Sequence, residues 1–556
     1  MTTRTGAQVL VDQLLIQKVT DIFCVPGESY LAVLDALHDA SVRVTVCRQE
    51  AGAGFMADAV GRLTGRPGIV FVTRGPGATN AAHAIHVARQ DSIPLIMFVG
   101  QIERGMRERE AFQEVDYRAA FGPLAKWATE IDDAGRIPEL VARAFSVAMS
   151  GRPGPVVIAL PEDMLVDAVD VPDAPFVAPI ETHPGPETMA ALHGRLLAAK
   201  SPIVLVGGTR WDEEARSNLI TFAERFDLPV ATSLRRQMLF PHDHRCFAGD
   251  LGIGANPKLV ARIKAADLII GVNTRLSEMP SQSYTLLDIP GDGARFVHVH
   301  PDAGELNRVY ASSLPIHATP KPFAAALAGL AAPDKPVWAA QTTIDHEAYL
   351  AFSGNPAPTS GDFHPGLVVQ WLRANLPDDA IMTNGAGNYA TWLHRYFRFR
   401  RFATQLAPTS GSMGYGLPAA VGAKRLYPER PVVCLAGDGC FLMNGQEFAT
   451  AVQYDLPIIA LVIDNGMYGT IRMHQEREYP GRVSGTGLKN PDFAAYARAF
   501  GGHGETVRTT AEFAPAFERA RASGKPAILH CFLDPEALTI AASLSTIRAN
   551  AIKAGK

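Results

Sequence analysis

Cysteine is scarce in this chain: six residues in 556 (Cys24, Cys47, Cys246, Cys434, Cys440, Cys531), far apart and without a CxxC pair. That argues for reduced thiols and against a disulfide framework or a thiolate zinc site. Long apolar runs are missing as well, none approaching the roughly 18–20 residues needed to span a bilayer. The start, MTTRTGAQVLVDQLLIQ, has only Arg4 ahead of its apolar residues, and Asp12 and Gln13 interrupt them, so it does not read as a signal peptide. Positive charge is not in excess: 52 Lys and Arg stand against 56 Asp and Glu, a formal net charge of −4 without a dense basic cluster. This excludes a nucleic-acid footprint. The expected location is the cytoplasm, and the expected partners are small molecules, with no nucleic acid and no membrane.

What the chain does have is length and an alternating pattern. At 556 residues it is too long for one core and should hold two to four domains. Short β-rich runs alternate with helical patterns, as α/β domains with parallel sheets require. RPGIVFVT, PLIMFVG and GPVVIAL form a first set; SPIVLVGG, ADLIIGV and RFVHVH a second; AIMTNG, RPVVCLAG, LPIIALVI and KPAILHCF a third. Proline-rich, weakly periodic stretches separate the sets. Three doubly wound α/β domains are therefore expected, over residues 1–167, 187–332 and 360–556, the outer two as candidate structural relatives.

The stretch VVCLAGDGCFLMNGQEFATAVQYDLPIIALVIDNGMYGT carries the chemistry. Gly437, Asp438 and Gly439 should end one strand. Asp464, Asn465 and Gly466 should end the next, after a helix from about Asn444 to Tyr454. Ligands of open parallel sheets sit beyond the strands' carboxyl ends, where helix N-termini offer N–H groups to an anion. Glycine there lets a phosphate approach the backbone. Asp438, Asn465 and a loop carbonyl such as that of Met467 would supply hard oxygens to Mg²⁺, with diphosphate oxygens and water completing six ligands. Two ordinary strand-end turns, in which Asp and Asn favour tight bends, account for the same residues.

GDG followed 27 residues after its aspartate by Asn465 in DNG resembles the thiamine-diphosphate signature of the pyruvate decarboxylase and acetolactate synthase superfamily. The family's usual ending is Asn-Asn; Asp464 replaces the first and the presumed ligand is kept. VTVCRQEAGAGFMADAVGRLTG resembles the segment holding the family's catalytic glutamate, here Glu50. That acid hydrogen-bonds the cofactor's pyrimidine and drives its imino tautomer; an acid complementing the following helix is the plainer reading. TSGSMGYGLPAAVGA matches the segment in which a bulky residue, Met413, wedges the cofactor into its bent form and the carbonyl of Gly411 accepts from its amino group. TNGAGNYATWLHRY places Gly387, Asn388 and Tyr389 at a diphosphate-binding turn. By the same resemblance Cys440, Met467, Tyr468 and Gly469 join the cofactor site. VTRGPGATNAAHAI and AFQEVDYRAAFGPLAKWA resemble the acetolactate synthase large-subunit branch, with Phe112 and Gln113 matching active-site residues and Lys126 a substrate-channel lysine.

The chain also departs from that branch. Met279 and His474 stand where the arginine and tryptophan that bind the acceptor keto acid should be, although Arg275 matches the first arginine of the run. Glu28 occupies a position that is small in acetolactate synthases and acidic in simple keto-acid decarboxylases, so it reads either as a proton relay or as an acid capping the helix near Ser29. Arg74 replaces a usual small residue and reads either as a carboxylate anchor or as a strand-end ion pair. In the middle domain the resemblance offers FAD as a candidate ligand, with Arg235 and Arg236 adding bulk in the contacting stretch.

Together these features imply a thiamine-diphosphate- and Mg²⁺-dependent 2-keto-acid carboligase. The alternatives are a non-ligating decarboxylase and a catalytically silent cofactor-binding paralogue. Superfamily members build each site between two subunits, which implies a homodimer or homotetramer with Glu50 of one chain facing Asp438 and Asn465 of another.

Overall fold

The computed structural model describes residues 3–291 and 295–556. Its frame is three six-stranded sheets in which every pairing is parallel. The first holds β1 (Asp21–Cys24), β2 (Arg43–Val46), β3 (Gly68–Val72), β4 (Leu95–Gln101), β5 (Trp127–Glu130) and β6 (Pro155–Pro161), in the order β2-β1-β3-β4-β6-β5. The second holds β7 (Pro202–Val206), β8 (Val230–Ser233), β9 (Phe247–Leu251), β10 (Leu268–Val272), β11 (Phe296–His300) and β12 (Leu314–His317), in the order β9-β8-β7-β10-β11-β12. The third holds β13 (Ile381–Asn384), β14 (Gln405–Leu406), β15 (Val432–Gly437), β16 (Ile459–Asp464), β17 (His503–Val507) and β18 (Ala527–Phe532), in the order β14-β13-β15-β16-β18-β17. The outer sheets thus share one strand order and the middle sheet has another, which supports the structural kinship expected of the outer two domains.

Helices cover both faces, so central strands such as β4 are buried along their whole length and read as unbroken apolar runs. The helices that matter below are α1 (Glu50–Thr64), α2 (Pro76–Asp91), α3 (Tyr389–Tyr396), α4 (Gly416–Leu426), α5 (Glu447–Gln453), α6 (Gly469–Glu478) and α7 (Leu544–Lys553). The expected helix near Asn444–Tyr454 is realised as the shorter α5. Among the described residues no helix is long and apolar enough to cross a membrane.

The chain forms two compact units. One comprises residues 1–180 together with 417–429 and 444–456, so α5 and most of α4 belong with the first sheet. The other comprises residues 181–416, 430–443 and 457–556 and contains the second and third sheets. In the first unit α1 is packed through its glycines: a Cβ at Gly54 would lie 2.4 Å from Ala84 of α2, and one at Gly61 would lie 2.4 Å from the carbonyl oxygen of Pro94. Any side chain at either position would force these neighbours to shift.

Candidate active site

In an open α/β sheet the ligand crevice opens where the strand order reverses. In the third sheet that point lies between β13 and β15, whose ends lead into Gly385–Asn388 and Gly437–Gly439. A cavity of about 240 Å³ opens there. Its lining includes Gly387, Asn388, Tyr389, Gly411, Met413, Gly437, Asp438, Gly439, Cys440, Asn465, Met467, Tyr468 and Gly469. The expected cofactor residues of the C-terminal region therefore converge on one site.

Three local devices shape it. Asp438 opens a single helical turn, Asp438–Phe441, directly at the end of β15. Tyr389 floors the site: its hydroxyl donates to Cys440 Sγ (3.2 Å) and accepts from the Gly385 N–H (3.1 Å). A Cβ at Gly387 or Gly437 would meet the tyrosine ring at 2.7 or 2.9 Å, which is why both turns need glycine. Gly411 and Gly414 both have positive φ, 72° and 77°, and hold Met413 between them as a half-buried side chain packed on the C-terminal core.

Asp438 is buried, and one oxygen accepts from Asn490 Nδ2 (2.7 Å) while the other accepts from the Gly439 N–H. The same Asn490 nitrogen donates to Asp464 (2.7 Å). Asp464 also accepts from His530 Nε2 (2.8 Å), whose Nδ1 accepts the Phe493 N–H (3.3 Å) and so leaves the proton on Nε2. Burial, and then the facing Asp464, pushes Asp438 up to about 6. Burial also works against ionised Asp464, but the hydrogen bonds from His530 and Asn490 outweigh it and hold Asp464 below the usual range. Asn465 Oδ1 accepts the Met467 N–H (3.3 Å) in an Asx turn, and backbone bonds from Tyr468 to Thr486 and from Leu488 to Gly466 pin this loop. Asn490 and His530 were missed from the sequence; a lone KNPDF or LHCF segment gives no spacing signal.

The donor set suits a hard cation: carboxylate, amide and main-chain oxygens are at hand, and the one nearby thiol, Cys440, is engaged by Tyr389 and the Gly414 N–H. His474 does not line this cavity. It lies exposed on α6 beside Arg477, and its pKa is lowered by partial burial and by that guanidinium. Trp392, Leu533 and Leu538, not foreseen, complete the apolar wall.

The first sheet reverses its order between β1 and β3, and Glu50, Glu28, Arg74, Phe112 and Gln113 lie around that point, whereas Lys126 precedes β5 at the opposite end of the strands. Glu50 is the first residue of α1, and one of its carboxylate oxygens accepts from Asn80 Nδ2 of α2 (2.9 Å). Its other oxygen lies 3.4 Å from where a Cβ of Gly77 would be. Glu28 does not cap a helix: its 3₁₀ turn has no side-chain cap. It pairs instead with Arg74 (3.3 Å), which also pairs with Glu162 (3.1 Å). Arg74 thus holds an ion pair with each of these carboxylates at the strand end, while its Nε is buried without a hydrogen-bond partner among the described residues. Phe112 is largely exposed, with Arg74 5.9 Å from its ring centre. Gln113 holds a positive φ of 65° against Gly75. Lys126 donates to the carbonyls of Val147 (2.7 Å) and Ser150 (2.5 Å) at a helix end.

In the middle sheet the corresponding reversal lies between β7 and β10, where the backbone turns pack tightly. A Cβ at Gly208 would lie 2.1 Å from the Asn273 carbonyl oxygen, and one at Gly207 would lie 2.8 Å from Ser233. Trp211 donates to the Gly207 carbonyl (2.8 Å), and Arg235 and Arg236 are buried.

Residues 4–120, 189–327 and 385–531 match, in this order, the models of the N-terminal, central and C-terminal domains of thiamine pyrophosphate enzymes. The chain belongs to the thiamine pyrophosphate enzyme family. Within that family it is 32 % identical over 541 residues to the acetolactate synthase large subunit of Corynebacterium glutamicum, covering 93 % of this chain and 84 % of the relative. It is 31 % identical to the acetolactate synthase isozyme 3 large subunit of Escherichia coli, covering 89 % and 88 %. It is 30 % identical to a probable acetolactate synthase large subunit of Methanocaldococcus jannaschii, covering 95 % and 92 %. This thiamine pyrophosphate enzyme thus matches its acetolactate synthase relatives along nearly all of its length.

Proposed function

We propose that this enzyme is a 2-keto-acid carboligase of the acetolactate synthase type. The observation that carries the reading is the convergence of the GDG turn, Asn465, the Gly387–Tyr389 turn and Met413 on one cavity at the switch point of the third sheet. Asp438, Asn465 and the Met467 carbonyl would hold Mg²⁺, and the N–H groups of the Asp438–Phe441 turn would face the diphosphate. Bound thiamine diphosphate supplies a nucleophilic carbon and an electron sink for decarboxylation. Met413 would pack against the cofactor, and the Gly411 carbonyl would accept a hydrogen bond from its amino group. Glu50, oriented by Asn80, exchanges a proton with the pyrimidine ring. With pyruvate as both donor and acceptor, two pyruvates and one proton would give one acetolactate and one CO₂.

Active sites shared between two copies of the chain follow the same reading. Leu442 and Met443, directly after the Asp438 turn, are more than 40 % exposed, as residues awaiting a partner would be. The six cysteines are free and buried, which supports a reducing, cytoplasmic location. The reading does not require the FAD candidate of the middle domain.

A second reading, a non-ligating decarboxylase, is favoured by Glu28, an exposed acid at the switch point of the first sheet. Purified protein with thiamine diphosphate, Mg²⁺ and pyruvate alone separates the two: acetolactate supports the ligase, and acetaldehyde without acetolactate overturns it.

A further inference from the structure

Carboxylates are rarely fully buried unless they are paired, yet Glu447, the first residue of α5, is 0 % exposed and makes no ion pair among the described contacts. It persists because donors surround it. Its Oε1 accepts the backbone N–H groups of Arg48 (3.0 Å) and Gln49 (2.9 Å), and its Oε2 accepts the Thr450 hydroxyl (2.6 Å). Burial pushes its carboxyl up in pKa, and these bonds pull the other way.

The two amides belong to the residues immediately before Glu50. They lie in the turn from β2 to α1, outside any strand ladder or helix. Gln49 is the N-cap of α1, its side chain accepting the Gly52 N–H (3.0 Å), so the orientation of its peptide fixes the direction in which α1 starts. Gly52 is required for the contact: a Cβ there would lie 2.5 Å from Glu447 Oε1. The α5 segment clasps the same turn twice more, through Arg48 to Gln453 (2.5 Å) and the Val46 N–H to the Tyr454 hydroxyl (2.8 Å).

We propose that Glu447 is a positioning residue for Glu50: its buried carboxylate fixes the Arg48–Gln49 peptide and thereby the place from which Glu50 meets the cofactor. A catalytic acid displaced by about 1 Å loses on the order of a hundredfold in rate. The orphaned N–H groups would let the turn move by such an amount. The inference rests on membership of the thiamine pyrophosphate family and not on the identity of the keto acid.

The test uses the full chain with Glu447→Ala, Glu447→Asp and Glu447→Gln. Glutamine keeps an oxygen that can accept both N–H groups, whereas aspartate keeps the charge but falls one methylene short. In cofactor-free protein, hydrogen–deuterium exchange of peptides spanning residues 44–52 should quicken about tenfold in the Ala and Asp variants and match wild type in the Gln variant. With thiamine diphosphate and Mg²⁺ but no substrate, exchange of the cofactor's C2 proton should slow about a hundredfold in the Ala and Asp variants and recover in the Gln variant. Cofactor affinity should stay within about threefold throughout. If the Ala variant does not fold, the Asp variant carries both readouts. Unchanged amide protection, unchanged C2 exchange, or a Gln variant as impaired as Asp would each overturn the proposal. Failure to turn over any keto acid would count against the proposed function alone, since neither readout needs substrate.

Discussion

Replacing Tyr389 by phenylalanine isolates one tie in the cofactor cavity. The ring would stay, still filling the space against Gly387 and Gly437, and only the hydroxyl would go. That hydroxyl accepts the Gly385 N–H at 3.1 Å and donates to Cys440 Sγ at 3.2 Å. Cys440 would keep the Gly414 N–H at 3.3 Å, but the N–H of the buried Gly385 would lose its partner. An orphaned buried donor costs about 1–3 kcal/mol, and the weak bond to sulfur adds less than about 1 kcal/mol. We therefore expect about 2 kcal/mol less stability. If half of that measures how well the Gly385–Asn388 turn is held for the diphosphate, the cofactor dissociation constant should rise about fivefold. Burial raises the Tyr389 phenol well above its ordinary pKa, so both effects should be flat across neutral pH. Urea unfolding of the apo-protein reads the first quantity, and quenching of Trp392, which lines the cavity, reads the second. A Tyr389→Phe protein with wild-type stability and wild-type cofactor affinity would refute this account of the turn.

Other consequences are as direct. Glu50→Gln should retain thiamine diphosphate and lose at least about 10²-fold in turnover, the scale of a positioned acid–base group; steady-state kinetics beside equilibrium dialysis checks both halves. Asp438→Ala removes the one carboxylate proposed as a Mg²⁺ ligand, and cofactor binding measured by calorimetry should cease to depend on Mg²⁺. Glu476 ties α6 to the C-terminal helix α7 through Arg548 (2.7 Å) and also bonds Arg472 and the Gly481 N–H. Arg548 first, against the effect of burial, lowers the Glu476 carboxyl from 4.5 to about 2. A depressed acid stabilises above its unfolded pKa, so this tie should be whole above about 4.5 and lost as pH falls toward 2. The shift corresponds to about 3 kcal/mol at most, and to about 1 kcal/mol once solvent screening of the partly exposed Arg548 is counted. Arg548→Ala should accordingly raise amide exchange in residues 544–553 about fivefold at neutral pH, with no change around β4.

The parts of this site that were legible in the sequence are those written in local backbone chemistry. Gly466 has a local reason to be glycine, its positive φ of 68°, and the apolar runs of β3, β4, β15 and β16 announce strands buried on both faces. Turn chemistry, together with the resemblance to the thiamine-diphosphate signature, then pointed Asp438 and Asn465 to one site. Partnerships across elements were not legible. Nothing in KNPDF says that Asn490 bridges two aspartates, because Asp438 and Asp464 lie 52 and 26 residues before it. Glu447 sits in GQEF like any first-turn helix acid, and only the folded chain shows it 398 residues from the Gln49 amide it holds. Glu28 and Arg74 were each read with two roles. Their ion pair joins residues 46 apart in the chain, and neither residue's surroundings in the sequence announce it.

The central claim is that this site, with Glu50 as its acid–base group, joins two 2-keto acids. It is tested most directly by following [2-¹³C]pyruvate by NMR in the presence of protein, thiamine diphosphate and Mg²⁺, with Glu50→Gln in parallel. The account predicts acetolactate labelled at two adjacent carbons in the wild-type sample and about a hundredfold less in the variant. Labelled acetaldehyde without acetolactate, or equal product from Glu50→Gln, would contradict it.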